Sequence, residues 1–326
     1  MKEGGAACTP CLLVCTEQHN GKEKTMKYAI GIDVGGTNTR VALIDEKYQI
    51  IKRKQFSTNA DHPEKTIRDI RNVIDEFGCQ TKGIGISCPG PLDLINGVVL
   101  TPPNLPGWHH YALTKHLQKE TGLSVYLEND ANLACLAEAV AGAGKDMRYV
   151  QFLTISTGVG AGFCIDHKIY HGAKGFAQEV ANSILWKDGP AQGDLKKGSI
   201  ESIASGTAIT KRANDAGGKA AHAGEVYQMA RQGNQTAEQV IEDALEYLSS
   251  FLGILYGVLD PEIFVLGGSV ALKIPGFIEE VERRTKDKVY DSLKENVKVV
   301  PAVLGEDCGL IGAACLVFEQ ESSLRC

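Results

Sequence analysis

The stretch Ile30-Gly31-Ile32-Asp33-Val34-Gly35-Gly36-Thr37-Asn38-Thr39-Arg40-Val41 constrains the fold more than any other part of this chain. An apolar run ends in an acid and two glycines, and hydroxyl and amide side chains lead straight into a second apolar run. That order predicts two antiparallel strands joined by a tight turn. Gly35 and Gly36 can take backbone angles closed to residues with a Cβ, so the turn can point successive backbone N–H groups at an anion. Thr37, Asn38 and Thr39 add side-chain donors, and Asp33 at the strand end can hold Mg²⁺ over bound phosphates. An ordinary glycine hairpin also contains Gly-Gly; the acid before it and the donors after it favour phosphate. The stretch is not a P-loop or a dinucleotide fingerprint. No Gly-Lys-Ser/Thr follows, and Arg40-Val41-Ala42-Leu43-Ile44 reads as strand where those motifs need a helix.

The pattern recurs. Val150 to Ile155 reads as a strand running into Ser156-Thr157-Gly158-Val159-Gly160-Ala161-Gly162, and Ile263 to Leu266 as a strand running into Gly267-Gly268. The first is a second phosphate clasp through Thr157 and Gly158. In the second, Gly267 and Gly268 would let a nucleotide base or ribose lie against bare backbone. Glycine turns are common singly; three in order, each after an apolar strand, point to one nucleotide site built from two related halves.

Asp130 is the catalytic candidate. It follows the strand Ser124-Val125-Tyr126-Leu127 and opens an alanine-rich helix, the position at which open α/β sheets place ligands, and it could accept the proton of an attacking alcohol. Asp is also a favoured helix N-cap, which is the structural alternative. Asn129 beside it can hold a hydroxyl. Glu179 and Glu201 are acids able to accept hydrogen bonds from vicinal hydroxyls, or else solvated surface charges.

Elsewhere the periodicity predicts strands over Tyr28 to Asp33, Thr39 to Asp45 and Ile50 to Ser57. It predicts a helix opened by His62-Pro63-Glu64, a long helix over Thr236 to Leu259 stopped by Asp260-Pro261, a helix from Gly276 to about Asp291, and a terminal helix from Gly309 to Phe318. A net charge of −6 gives no electrostatic support for a nucleic-acid or anionic membrane partner. No apolar run approaches the roughly 18 residues of a membrane helix. Residues 1–25 are polar and carry Cys8, Cys11 and Cys15, a cluster lacking a fourth ligand at metal-binding spacing, and are expected to form a disordered extension. The remaining cysteines are scattered in apolar contexts, as buried thiols in a reducing cytoplasm would be.

Together, Asp33-Val34-Gly35-Gly36-Thr37, Glu128-Asn129-Asp130-Ala131-Asn132, Thr157-Gly158-Val159-Gly160-Ala161-Gly162 and Leu266-Gly267-Gly268 resemble the ROK family of sugar kinases and repressors, over essentially Met26 to Phe318. The resemblance implies an α/β, two-domain actin/hexokinase-like (ribonuclease H-like) ATPase fold with mixed sheets and an interdomain cleft. The small N-terminal domain is expected over 26–130 plus a C-terminal helix at about 306–320, and the large domain over 131–305. It implies an ATP-dependent hexose kinase acting on the 6-hydroxyl of glucose or a relative, with an N-acetylhexosamine such as N-acetylmannosamine as the alternative acceptor. Asp130 would be the base. Asn104, Asn129, Glu179, Asn182 and Glu201 would contact the sugar. Asp33, Gly35, Gly36, Thr37, Asn38, Thr157, Gly158, Gly267 and Gly268 would handle ATP, with Mg²⁺ at Asp33 through phosphates or water.

Family repressors carry a winged-helix domain of about 70 residues ahead of the first motif, whereas 32 residues precede Asp33 here, without basic character. The resemblance implies a homodimer, and the thiols, net charge and short apolar runs lead to the expectation of a cytoplasmic protein without nucleic-acid or membrane partners. One departure stands out. Many members hold a structural zinc through Glu-x-x-His and a cysteine-rich stretch before the last sugar acid. Here Asn182 takes the histidine's place, and Gln192, Asp194 and Ser199 stand where cysteines would be. The expectation is a zinc-free site, its loop ordered by packing.

Overall fold

The computed structural model describes residues 16–19, 22–102 and 104–323. Part of the segment expected to be disordered is a hairpin: β1 (Thr16–His19) pairs antiparallel with β2 (Lys22–Thr25). Cys8, Cys11 and Cys15 lie outside the described residues. The chain divides into two compact units, one reaching Glu128 and resuming at Ala313, the other spanning Asn129–Gly312.

The first unit is built on a five-stranded sheet of order β5-β4-β3-β6-β9. Strands β3 (Tyr28–Val34), β4 (Asn38–Asp45) and β5 (Ile50–Ser57) form the expected antiparallel meander. After α1 (Pro63–Phe77), β6 (Ile84–Cys88) returns parallel to β3. The short hairpin β7 (Leu92–Asp93) and β8 (Val98–Val99) and the helix α2 (Leu113–Thr121) lead to β9 (Val125–Asn129). Helix α1 forms where Pro63 supplies its first turn without losing a needed N–H, and it ends at Gly78 in the left-handed region. Its Ile67 and Ile70 bury against Ile30, Ile32, Leu43, Ile84 and Ile86, each at most 2% exposed. Full burial of such a side chain contributes about 1.5–3 kcal/mol. Gly85 of β6 has no space for a side chain, because a Cβ there would lie 1.9 Å from the Ala313 carbonyl oxygen of the terminal helix.

The second unit opens with α3 (Asp130–Ala141), then β10 (Tyr149–Ile155), β11 (Val159–Ile165) and β12 (Lys168–Ile169). Helices α4 (Ile200–Ala204), α5 (Gly206–Asp215), α6 (Ala223–Arg231) and α7 (Gln235–Leu259) follow. Strand β13 (Ile263–Gly267), helices α8 (Gly268–Lys273) and α9 (Phe277–Lys286) and strand β14 (Val299–Pro301) complete it, and helix α10 (Cys308–Ser323) begins in it and from Ala313 belongs to the first unit. The sheet order is β12-β11-β10-β13-β14, with β13 parallel to β10. Each unit thus has a three-strand meander whose first strand pairs in parallel with a fourth, so the sheets share one topology. Val240, Ile241, Ala244, Leu248 and Leu252 of α7 bury against Phe264 and Leu266 of β13 in this unit's core. Helix α9 stops at Lys286, short of the expected Asp291. Asp287 N–H donates to Arg284 O and Lys288 N–H to Thr285 O, short-range bonds that tighten and end the helix.

Candidate active site

In the first unit the β3–β4 turn closes through Gly35 N–H to Asn38 O at 2.9 Å. Neither Gly35 nor Gly36 lies in the left-handed region. The expected reason for these glycines is therefore corrected: they are required by proximity. A Cβ on Gly36 would come within 2.9 Å of Asn104 Cβ, so the turn and the candidate sugar contact Asn104 are in direct apposition. Thr37 and Asn38 are exposed, as donors to a ligand would be. Thr39 is not available in that way; it is fully buried and its hydroxyl pairs with Thr58 Oγ1 at 2.8 Å. Strand alternation turns Thr39 inward. The cross-strand register sets Asp33 opposite Arg40, whose Nε and Nη2 both donate to Asp33 Oδ2, at 3.2 and 2.5 Å. Sequence reasoning did not pair them, although the seven-residue separation across a hairpin could have suggested it.

In the second unit Asp130 is exposed at the first position of α3. The cap of that helix is Asn129, whose Oδ1 accepts the Ala131 N–H at 2.9 Å and the Asn132 N–H at 3.4 Å. The structural alternative for Asp130 thus falls to its neighbour. Asp130 Oδ1 accepts the Ala131 N–H of the adjoining residue at 2.8 Å. Asn129 keeps a candidate sugar role only through atoms other than its capping oxygen.

Helix α3 packs on β11 with glycine as the interface. Cβ atoms on Gly160 and Gly162 would come within 3.1 Å of Ala131 Cβ and 2.7 Å of Cys135 Cβ. This close approach holds Asp130 on the same rigid body as the Thr157-Gly158 turn. Farther along α3, fully buried Glu138 accepts N–H groups from Val303 and Leu304, both at 2.9 Å, and from Ala143 at 2.8 Å, tying the helix to the segment after β14. Glu201, in the first turn of α4, sends its carboxylate to this turn: Oε2 accepts the Val159 N–H at 2.8 Å.

Glu179 is exposed by side-chain area, yet enough protein surrounds its carboxyl that loss of water pushes its pKa above the ordinary range. Asn182 is exposed, and its Oδ1 accepts the Lys196 N–H at 2.8 Å across the loop that precedes Glu201. Asn182, which takes the place of the family's histidine, is a weak metal ligand, and its oxygen is engaged by Lys196. No group of three His, Cys, Asp or Glu among the described residues is arranged to hold a metal. Mg²⁺ asks for less: one carboxylate and ligand phosphates suffice, and the second oxygen of Asp33 lies outside its two bonds to Arg40.

Two cavities adjoin these elements. The larger, about 840 Å³, runs from Thr157 and Ser269 past Thr207 to Tyr227 and Arg231. That volume falls within the range of small-molecule sites. Lys211, His222, Arg231 and Lys273 line it, and no carboxylate does among the described residues, so it suits a polyanion. Sequence reasoning missed its α5 and α6 walls. The available signal was Ser205-Gly206-Thr207: Ser205 caps α5, and Gly206 N–H donates to Ser156 O at 2.7 Å, docking the helix on the Thr157 turn. The smaller cavity, about 240 Å³, is lined by Asp130, Thr154, Gly267, Gly268 and Cys308. The bareness of Gly267 and Gly268 serves internal packing: their Cβ positions face the Phe152 ring at 2.9 Å and the Ile155 carbonyl oxygen at 2.4 Å, and Gly268 has φ +87°.

The sequence profile of the ROK family matches residues 29–320. A glucokinase from Thermotoga maritima is 31% identical over 89% of this chain and 97% of its own length. An N-acetylmannosamine kinase from Salmonella heidelberg is 29% identical over 88% of this chain and 97% of its own. Among solved structures, a ROK family glucokinase from Streptomyces griseus in complex with glucose and AMPPNP superposes with a TM-score of 0.72 at 27% identity, covering 90% of this chain and 99% of that one.

Proposed function

The chain belongs to the ROK family, and from that premise we infer that it is an ATP-dependent hexose kinase transferring the γ-phosphoryl group to the 6-hydroxyl of glucose or a related hexose. The observation that carries the reading is the exposed, non-capping Asp130 held by glycine packing on the body that carries the Thr157-Gly158 turn.

Asp130 is read as the base on the 6-hydroxyl. The hydroxyl oxygen bonds to the γ-phosphorus as the bond to the β-phosphate oxygen breaks; the hydroxyl proton passes to the Asp130 carboxylate and ADP leaves. Phosphoryl transfer passes through a loose transition state, so positioning and charge neutralisation contribute most and the base acts late. Asn104, Asn129, Glu179, Asn182 and Glu201 are read as acceptor contacts, with Asn182 restricted to its amide N–H groups by the bond to Lys196. Thr157 and Gly158 in the second unit, and Asp33, Gly35, Gly36, Thr37 and Asn38 in the first, are read as phosphate contacts. Gly267 and Gly268 shape the nucleotide side through the adjoining Ser269, which lines the larger cavity. Mg²⁺ bound through Asp33 would neutralise charge on the transferring phosphoryl group.

Zinc plays no part in this reading, because the loop's donor set lacks the ligands. We also read the protein as cytoplasmic and homodimeric, with no nucleic-acid or membrane partner. The buried thiols of Cys135 and Cys164, 3.4 Å apart and not joined as a disulfide, suit a reducing compartment, and the homodimer rests on the family resemblance. No helix of the described residues is long and apolar enough to cross a membrane.

N-acetylmannosamine is the second acceptor to test, since a kinase for it is nearly as similar as the glucokinase. ATP-consumption rates with glucose, mannose, N-acetylglucosamine and N-acetylmannosamine decide the acceptor. Asp130→Asn should retain measurable sugar binding and lose at least 100-fold in kcat, the lower range for general-base catalysis. Retention of more than a tenth of the wild-type rate would remove Asp130 from that role.

A further inference from the structure

We propose that Trp186 is a positioning residue for the acceptor sugar, pinning to the core the loop whose two ends carry Glu179 and Glu201. The inference rests on the reading of those carboxylates as acceptor contacts.

The loop doubles back on itself. Leu185 and Trp186 N–H groups both donate to Gly198 O, at 2.9 and 3.2 Å, and Ile200 N–H donates to Ser183 O at 2.9 Å. Glu201 N–H donates to Ala181 O at 3.3 Å, so the backbone of one acid is bonded two residues from the other. Asn182 Oδ1 to Lys196 N–H adds a rung. This ladder fixes the spacing of the two ends, but it is internal to the loop and does not say where the loop sits.

Trp186 does. Its ring lies face to face on Tyr247 of α7, centroids 5.1 Å apart and planes 10° from parallel. The Arg212 guanidinium of α5 stands 5.8 Å from the same ring. Arg212 is itself fixed by its ion pair with Asp243 of α7, both side chains about 15% exposed. A flat indole stacked on a phenol, with a delocalised cation over its ring, gains from stacking and from the ring's charge distribution, and each contact constrains its orientation. Between its buried ends at Val180 and Ile200, little else in the loop could anchor it. Leu185 packs partly against the core, Ile184 is 58% exposed, and Lys187, Asp188, Lys196 and Lys197 carry charge. The chain closes tightly around this residue: Gly198 has φ +70°, and a Cβ there would lie 1.6 Å from the Trp186 carbonyl oxygen. Displacing the indole therefore frees the middle of the loop and loosens the Glu179 end, while Glu201, held by α4 and by the Val159 N–H, and the larger cavity keep their places.

The test is steady-state kinetics on the full chain, with glucose and N-acetylmannosamine each as acceptor. Trp186→Ala is expected to raise the acceptor KM at least tenfold with the ATP KM within twofold of wild type, and Trp186→Phe to recover most of the loss by restoring a stacking ring. Tyr247→Leu, which removes the partner from the helix side, should reproduce the acceptor defect and covers the case in which Trp186→Ala does not fold. A folded Trp186→Ala with unchanged acceptor KM overturns the proposal, as does a parallel rise in both KM values that Phe does not rescue. Glu179→Gln and Glu201→Gln separate the two layers. If they raise the acceptor KM and Trp186→Ala does not, the positioning role alone fails; if neither does, the acceptor reading fails and the proposal with it.

Discussion

Glu201 Oε2 accepts the Val159 N–H at 2.8 Å and stands 2.6 Å from the point that a Cβ on Gly158 would occupy. One carboxylate thus touches the turn read as a phosphate clasp while belonging to the set read as sugar contacts. The two halves of the reaction meet at a residue pair in which an added methyl group would displace the carboxylate.

Gly158→Ala follows from this pair. The added carbon meets the far end of a flexible side chain, so the carboxylate gives way and the backbone stays. The glucose KM should rise roughly tenfold, near the lower end of what a hydrogen bond to a charged group contributes, about 1.5 kcal/mol, while the unfolding midpoint in urea shifts little. A variant with wild-type KM for glucose would show that the position of Glu201 is immaterial.

Metal removal should separate two ions. With Mg²⁺ in excess, 1,10-phenanthroline should leave both turnover and Tm unchanged, because the loop's donors cannot hold zinc. EDTA in excess over Mg²⁺ should stop turnover. A loss of Tm with phenanthroline would reveal a structural metal.

Desolvation raises the Glu179 carboxyl pKa, so this group takes up a proton at a higher pH than an ordinary glutamate. A protonated carboxyl accepts fewer hydrogen bonds. The glucose KM should therefore begin to rise, as pH falls, above the ordinary glutamate value of about 4.3, and Glu179→Gln should flatten that acid limb. The stability linkage runs the same way: a raised folded-state pKa favours the folded protein below the unfolded pKa, and that contribution is lost as pH rises through the folded one. A wild-type KM that stays flat between about pH 7 and pH 4 counts against the role of Glu179.

Gly85→Ala tests the first unit's core. A Cβ at this point would overlap the Ala313 carbonyl oxygen, and backbone cannot swing aside as a side-chain tip can. The expected loss is about 1–3 kcal/mol of unfolding free energy by overpacking, read from urea denaturation, with KM values for the folded fraction unchanged. A neutral substitution would mean that the terminal helix is free to shift.

What was legible in the sequence was local. Asp33, Gly35 and Gly36 lie within one turn of chain, and their residue types mark the hairpin locally, although the approach of Asn104 to Gly36 was not legible there. Helix α7 announced itself by the spacing of its apolar residues. Contacts between distant segments left no such trace. Glu201 lies 42 residues from Val159, and nothing in either neighbourhood demands the other. The glycines at 160 and 162 read as turn residues, whereas the structure uses them to admit a helix against a strand. The cation-lined wall on α5 and α6 was hidden for a different reason: Lys211, Arg231 and Lys273 resemble ordinary solvated charges until the fold brings them around one cavity.

The strand β6 that carries Gly85 leaves the ribosome well before the helix that packs on it at Ala313, because the whole second unit lies between them in sequence. The N-terminal sheet must therefore wait, one face uncovered, while the whole second unit is synthesised. Aggregation of nascent chains and demand for chaperones should concentrate in that interval. Loss of the segment from Ala313 onward would then act as a folding lesion in a unit whose sheet was synthesised far earlier.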